Sequence, residues 1–226
     1  MTQIHPITGP SRAPASGGPA KQLVVMLHGV GADGNDLIGL APHLATIMPD
    51  AAFVSPDAPF PCDMAPFGRQ WFSLQDRSDA ALLAGVQAVA PSVNAFLDAE
   101  LEKHGLGPEK LVLIGFSQGT MTALYVAPRR PVSIAGVIAY SGAMVGGELL
   151  ATETLSRPPI LLIHGDADEV VPVAAFDHAG AALQAAGFTV YGAKRPGLGH
   201  GIDSEGLSMG ASFLLDRFGL KPPDAA

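Results

Sequence analysis

A four-residue apolar run, Leu111-Val112-Leu113-Ile114, leads straight into Gly115-Phe116-Ser117-Gln118-Gly119 and then into Met121-Thr122-Ala123-Leu124-Tyr125-Val126-Ala127. The first segment has the length and β-branching of a buried strand; the last reads as a helix that stops before Pro128. Between them the chain must reverse within a few residues. Glycine two positions before and two positions after Ser117 lets neighbouring strand and helix backbones pass closely. A strand–turn–helix of this pattern holds its serine in a strained conformation at the C-terminal edge of a sheet, beside the positive end of a helix.

The rest of the chain repeats the same alternation. Leu23 to Leu27, Ala52 to Val54, Ile134 to Tyr140, Pro159 to His164 and Phe188 to Tyr191 read as strands. Residues 36–47, 82–104, 173–186 and 204–218 carry helical spacing of apolar side chains. Pro91 falls inside the second of these without disturbing its phase, which predicts a kink or two abutting helices. Gln3-Ile4 reads as an edge strand in an otherwise loosely held N-terminal arm, residues 1–20. One α/β domain is expected over residues 21–220, with a mostly parallel central sheet and helices on both faces. A frayed tail follows at 221–226.

With a net charge of −8 and no basic run, the chain is a poor candidate for nucleic-acid binding. No apolar stretch reads as approaching the ~20 residues of a membrane span. Residues 8–20 are rich in Pro, Gly and Ser where a secretory leader needs an apolar segment, so a soluble, cytoplasmic protein is expected. The single cysteine, Cys62, excludes an internal disulfide and offers no metal cluster. Oligomeric state is left open, a homodimer included.

Each chemically interesting stretch lies just after a strand, where open α/β sheets place their sites. A serine hydroxyl is a poor nucleophile until a base takes its proton, and histidine is suited to that task. Among seven histidines, His200 stands apart in the loop Pro196-Gly197-Leu198-Gly199-His200-Gly201, between the last strand and the last helix. His28 and His164 each end a strand and precede a glycine, which fits a structural bond to loop backbone. The acid that orients the base belongs in Gly165-Asp166-Ala167-Asp168-Glu169-Val170-Val171-Pro172. Asp168 is preferred there: Asp166 is placed to bond local backbone, and Glu169 turns outward beside the helix start. Backbone N–H groups of Gln118 and of Val30, in the glycine-rich loop after the first buried strand, are the expected oxyanion donors. The long, aromatic loop 56–78 is expected to wall the substrate pocket through Phe67, Trp71, Phe72 and Leu74.

With these residues assembled, the chain resembles the phospholipase/carboxylesterase family of α/β hydrolases, which includes acyl-protein thioesterases and small bacterial carboxylesterases. The stretches that carry the resemblance are Leu27-His28-Gly29-Val30-Gly31-Ala32-Asp33-Gly34, Trp71-Phe72, Gly115-Phe116-Ser117-Gln118-Gly119, His164-Gly165-Asp166-Ala167-Asp168 with Val171-Pro172, and Gly199-His200. It implies an α/β-hydrolase fold with a minimal lid and a small-molecule ester or thioester substrate. It implies no cofactor and no metal, with Ser117 as nucleophile, Asp168 as acid, His200 as base, and Val30 and Gln118 as oxyanion donors. In one departure, Ser73 follows Trp71-Phe72 where the family often has Asp. A thioesterase or lysophospholipase using the same triad is the nearest rival, and a silent binding module of the same fold a more distant one. A zinc hydrolase is disfavoured because no two histidines sit at helical ligand spacing.

Overall fold

The structure, a computed structural model, describes residues 3–221; the expected tail beyond Lys221 lies outside the described residues. In chain order the elements begin with β1 (Ser11–Arg12), β2 (Gln22–Leu27), α1 (Gly34–Ile38), α2 (Ala41–Ile47) and β3 (Ala51–Val54). A small hairpin, β4 (Phe60–Pro61) and β5 (Arg69–Gln70), precedes the long α3 (Asp79–His104). Then come β6 (Leu111–Phe116), α4 (Gln118–Val126), β7 (Gly136–Tyr140), the short α5 (Leu150–Glu153), β8 (Ile160–Gly165), α6 (Ala174–Ala185), β9 (Val190–Arg195) and α7 (Ser204–Phe218). The main sheet runs β1-β3-β2-β6-β7-β8-β9, and only β1 lies antiparallel to its neighbour.

Side-chain alternation along the central strands sends residues into two cores. Leu23, Val25 and Leu27 of β2, with Leu111 and Leu113 of β6, meet residues of α3, α4 and α6. Val24, Met26, Val112 and Ile114 meet α1, α2 and α7. Both faces are covered, which is why these strands read as unbroken apolar runs. Fully burying each such side chain contributes about 1.5–3 kcal/mol against the entropy of ordering the chain.

Several expectations are corrected. The edge strand is Ser11–Arg12, paired with Phe53 and Val54, and not Gln3-Ile4. The helix expected over 36–47 is two: Asp33 caps the first by accepting from Asn35 N at 2.8 Å, and Pro42 lies in the first turn of the second, where it cannot donate to an earlier turn. Residues 79–104 form one helix that continues through Pro91, not two abutting ones. The carbonyl one turn before Pro91 belongs to exposed Gln87, while Val86, Val89, Val93, Leu97 and Leu101 bury on both sides of the proline. This helix is also long and apolar enough to cross a membrane by length and composition, contrary to the sequence reading; its most apolar window has a mean hydropathy of 1.5. Its alanine-rich composition, interrupted by Asp98 and Gln87, hides that property from a search for apolar runs. Finally, β9 extends to Arg195, past the apolar residues that announced it; Arg195 ties the strand to the head of α7 by pairing with Asp203 at 3.0 Å and with Glu205.

Candidate active site

Ser117 sits between β6 and α4 with φ 53° and ψ −114°, a conformation that L residues avoid. Its N–H donates to Tyr140 O at 3.0 Å, which pins the turn to the end of β7. The two flanking glycines are required by contact. A Cβ on Gly115 would stand 2.6 Å from the Thr120 backbone, and one on Gly119 would collide with the Leu27 carbonyl. The first turn of α4 leaves its N–H groups without intrahelical partners. Among the described residues no hydrogen bond takes the Gln118 N–H or that of Val30.

The loops after β6, β8 and β9 emerge on one edge because these strands are parallel, and they carry Ser117, Asp168 and His200 respectively. The His200 ring lies 4.9 Å from the ring of Phe116, the residue before Ser117. His200 Nδ1 donates to Asp168 Oδ2 at 2.7 Å, and the Asp168 side chain is fully buried. With a carboxylate facing Nδ1, the ring proton resides there and Nε2 keeps its lone pair.

Burial by itself would raise the Asp168 pKa. The bond from His200 and the N–H groups of Val171 and Val170, both 2.9 Å from Oδ1, outweigh it and hold the carboxyl below its ordinary range. A second histidine touches the same carboxylate. His164 Nε2 donates to Val171 O at 2.8 Å and stands 3.3 Å from Asp168 Oδ2, completely enclosed. Asp166 is elsewhere: exposed, it accepts from Gly197 N at 2.7 Å and so fastens the loop that carries His200. Glu169 is exposed.

His28 is the corresponding support on the other side. Its Nδ1 donates to Gly29 O at 2.7 Å and its Nε2 accepts from Ala58 N at 3.0 Å, so both ring nitrogens are used and the ring is neutral. Burial lowers its pKa. Gln118 has a second role that its sequence position did not announce. Its buried side chain accepts from Trp71 N at 2.9 Å and donates to Phe72 O at 2.7 Å, while Trp71 Nε1 donates to His28 O at 2.9 Å. The Trp71-Phe72 loop is thereby bolted to the nucleophile turn.

The expected pocket wall needs correction. Trp71 is 0% exposed and Phe72 is 3% exposed, with the Phe72 ring against Gly85 of α3; both support the wall from behind. Phe67 is 75% exposed in the turn between β4 and β5. Only Leu74 of the four lines the cavity that contains Ser117, about 200 Å³ in volume. Met121, Val170 and Val171 share that wall, as do Val30 and Leu82. Met121 could have been found in the sequence, one helical turn after Ser117, and Val170-Val171 from their place beside Asp168. Nothing local marks Leu82, which arrives from α3. A second hollow, about 250 Å³, is lined by Phe116, Gly201, Ile202, Leu37 and Asp36. Ser73, where the family often has Asp, hydrogen-bonds Asp63 from the β4–β5 turn and helps hold that carboxyl below its usual range.

Comparison with known proteins adds the following. The family described as Phospholipase/Carboxylesterase matches residues 12–216. Esterase YpfH of Escherichia coli (strain K12) is 33% identical over 199 residues, which are 88% of this chain and 82% of that protein. An acyl-protein thioesterase 1 homolog of Dictyostelium discoideum is 28% identical over 128 residues, 54% of this chain and 55% of its own length. The crystal structure of esterase PE8 superimposes with a TM-score of 0.89 at 42% identity, covering 93% of this chain and 99% of that one.

Proposed function

The chain belongs to the phospholipase/carboxylesterase family and is a hydrolase of carboxylic ester bonds in small molecules, and we propose that Ser117, His200 and Asp168 perform that hydrolysis through an acyl-enzyme. His200 Nε2 takes the Ser117 Oγ proton as the oxygen attacks the ester carbonyl. Negative charge developing on the carbonyl oxygen is met by the unpartnered N–H groups of Val30 and Gln118. Asp168, ionised and buried, stabilises the imidazolium that forms and keeps the ring oriented. His200 then protonates the departing alcohol, and water repeats the sequence with the roles reversed.

Because His200 must reach the leaving oxygen, the alcohol belongs on the side of Gly201 and Ile202, in the hollow that they line. The acyl group then occupies the cavity of Val30, Leu74 and Met121, which has no residue of the His200 loop. At about 200 Å³ this cavity is smaller than the ~300–1,000 Å³ of drug-sized ligand sites, which favours short acyl chains. A cytoplasmic setting belongs to the same proposal, since the lone half-buried Cys62 suits a reducing compartment.

The observation that carries this reading is the 2.7 Å bond from His200 to an enclosed carboxylate at the sheet edge where a serine is held at positive φ. A fluorophosphonate probe should label Ser117 of the purified protein, with p-nitrophenyl butyrate turnover lost in step. Labelling elsewhere, or activity surviving in Ser117→Ala, would refute it. The thioesterase name of the Dictyostelium relative supports a second reading, hydrolysis of acyl thioesters with the same residues. Relative kcat/KM on matched ester and thioester substrates separates the two.

A further inference from the structure

Apart from Ser117, the side chains that line the acyl cavity are apolar with one exception. Arg77 is the single charged residue among those that line it, and an acidic protein of net charge −8 has placed a cation there. Its Nε donates to Leu74 O at 3.4 Å, and among the described residues neither terminal nitrogen has a hydrogen-bond partner. Among the described residues no carboxylate stands within ion-pair distance of Arg77. Arg129, Arg130, Arg195 and Arg217 pair with Glu153, Asp98, Asp203 and Asp216, whereas Arg69 and Arg157, like Arg77, donate to backbone carbonyls, and Arg12 also has no carboxylate beside it among the described residues. The acids next to Arg77 in sequence are otherwise engaged. Asp76 accepts from Ser78 N at 2.8 Å, and Asp79 lies in the first turn of α3, where the helix dipole favours it.

A planar guanidinium with two free terminal nitrogens is built to take a carboxylate with two parallel bonds. Arg77 is exposed, so solvent screens those bonds, and the apolar side chains beside it offset that screening only in part. Within the proposed acyl-enzyme reading, on which this rests, we propose that Arg77 selects substrates whose acyl part ends in a carboxylate. The substrate class is then half-esters of short dicarboxylic acids, the distal carboxylate meeting Arg77 while the ester carbonyl lies at Ser117. The chemistry at the ester is unchanged: the acyl–oxygen bond breaks, the alcohol leaves with a proton from His200, and water releases the free diacid.

The test compares monomethyl succinate, glutarate and adipate with their neutral ω-carboxamide methyl esters, which match them in shape and lack the charge. The readout is the kcat/KM ratio of acid to amide within each enzyme, at fixed pH and ionic strength. In the wild-type protein the ratio should exceed one for at least one chain length. It should fall by roughly tenfold or more in Arg77→Ala and drop below one in Arg77→Glu, with Arg77→Lys in between because the charge survives without the fork. A wild-type ratio below one at every length, or a ratio that Arg77→Ala leaves unmoved, overturns the proposal. So does turnover of p-nitrophenyl butyrate with none of the half-esters accepted, which leaves the acyl-enzyme reading intact. Failure of every ester together with no fluorophosphonate labelling of Ser117 overturns both.

Discussion

Replacing Asp168 by asparagine tests how the proposed catalytic residues depend on one another. In the native site Oδ1 accepts the N–H groups of Val170 and Val171, both at 2.9 Å, while Oδ2 faces His200 Nδ1 at 2.7 Å and His164 Nε2 at 3.3 Å. An asparagine must keep its oxygen toward the two backbone donors, since the opposite flip sets an amino group against them. Its NH₂ then points at His200. The imidazole can avoid a donor–donor clash only by moving its proton from Nδ1 to Nε2, and a protonated Nε2 cannot accept from Ser117. The expected loss in kcat is about 10⁴-fold, or ~5.4 kcal/mol of barrier, by analogy with the same change in serine proteases. Shape is conserved and the burial of a charge is relieved, so the fold should lose less than about 2 kcal/mol. In Asp166→Asn the side-chain oxygen can still accept from Gly197 N, and kcat should stay within roughly threefold of wild type, since exposed substitutions that keep their contacts have small effects. Saturation kinetics on p-nitrophenyl butyrate, with a urea titration of each variant, measure both quantities. Asp168→Asn retaining a tenth of wild-type kcat, or Asp166→Asn suffering more, would show that the acid has been misassigned.

Ser117→Gly should abolish turnover yet raise stability by about 1 kcal/mol over Ser117→Ala, because glycine accepts the positive φ that alanine must also strain to adopt; equal urea midpoints would show that no strain is stored there. Gln118→Leu strands the buried Trp71 N–H and Phe72 carbonyl, at about 1–3 kcal/mol each, and should lower Tm by roughly 5 °C or more with a shift in Trp71 fluorescence. An unchanged Tm would mean that the amide is not the bolt described. Burial depresses the His28 pKa, so between its folded value and about 6.5 the unfolded chain binds the extra proton, and stability falls as pH drops through that window. The contribution is at most about 1.4 kcal/mol per pH unit, and His28→Gln should flatten the slope even as it destabilises the protein. Parallel pH dependences in the two proteins would place the titration elsewhere.

The proposed chemistry could be set out from the sequence because each proposed catalytic side chain sits in a short segment that announces itself. Gly115 to Gly119 must turn sharply after an apolar strand, His200 lies in a glycine loop before the last helix, and Asp168 follows the strand ending in His164. Parallel strands alternating with helices then force all three onto one edge, whatever the details of packing. The acyl wall follows no such rule. Trp71 and Phe72 look like pocket residues because they are large and apolar in a long loop, but the Gln118 side chain draws that loop inward and buries them. Leu82 reaches the cavity from the first turns of α3, which packs beside α4, and Arg77 reaches it from the loop just before that helix. Local sequence therefore determined which atoms are proposed to react. Contacts between segments far apart in the chain decided which surface the substrate meets, since burial depends on the sum of neighbours and no residue carries that sum in its own identity.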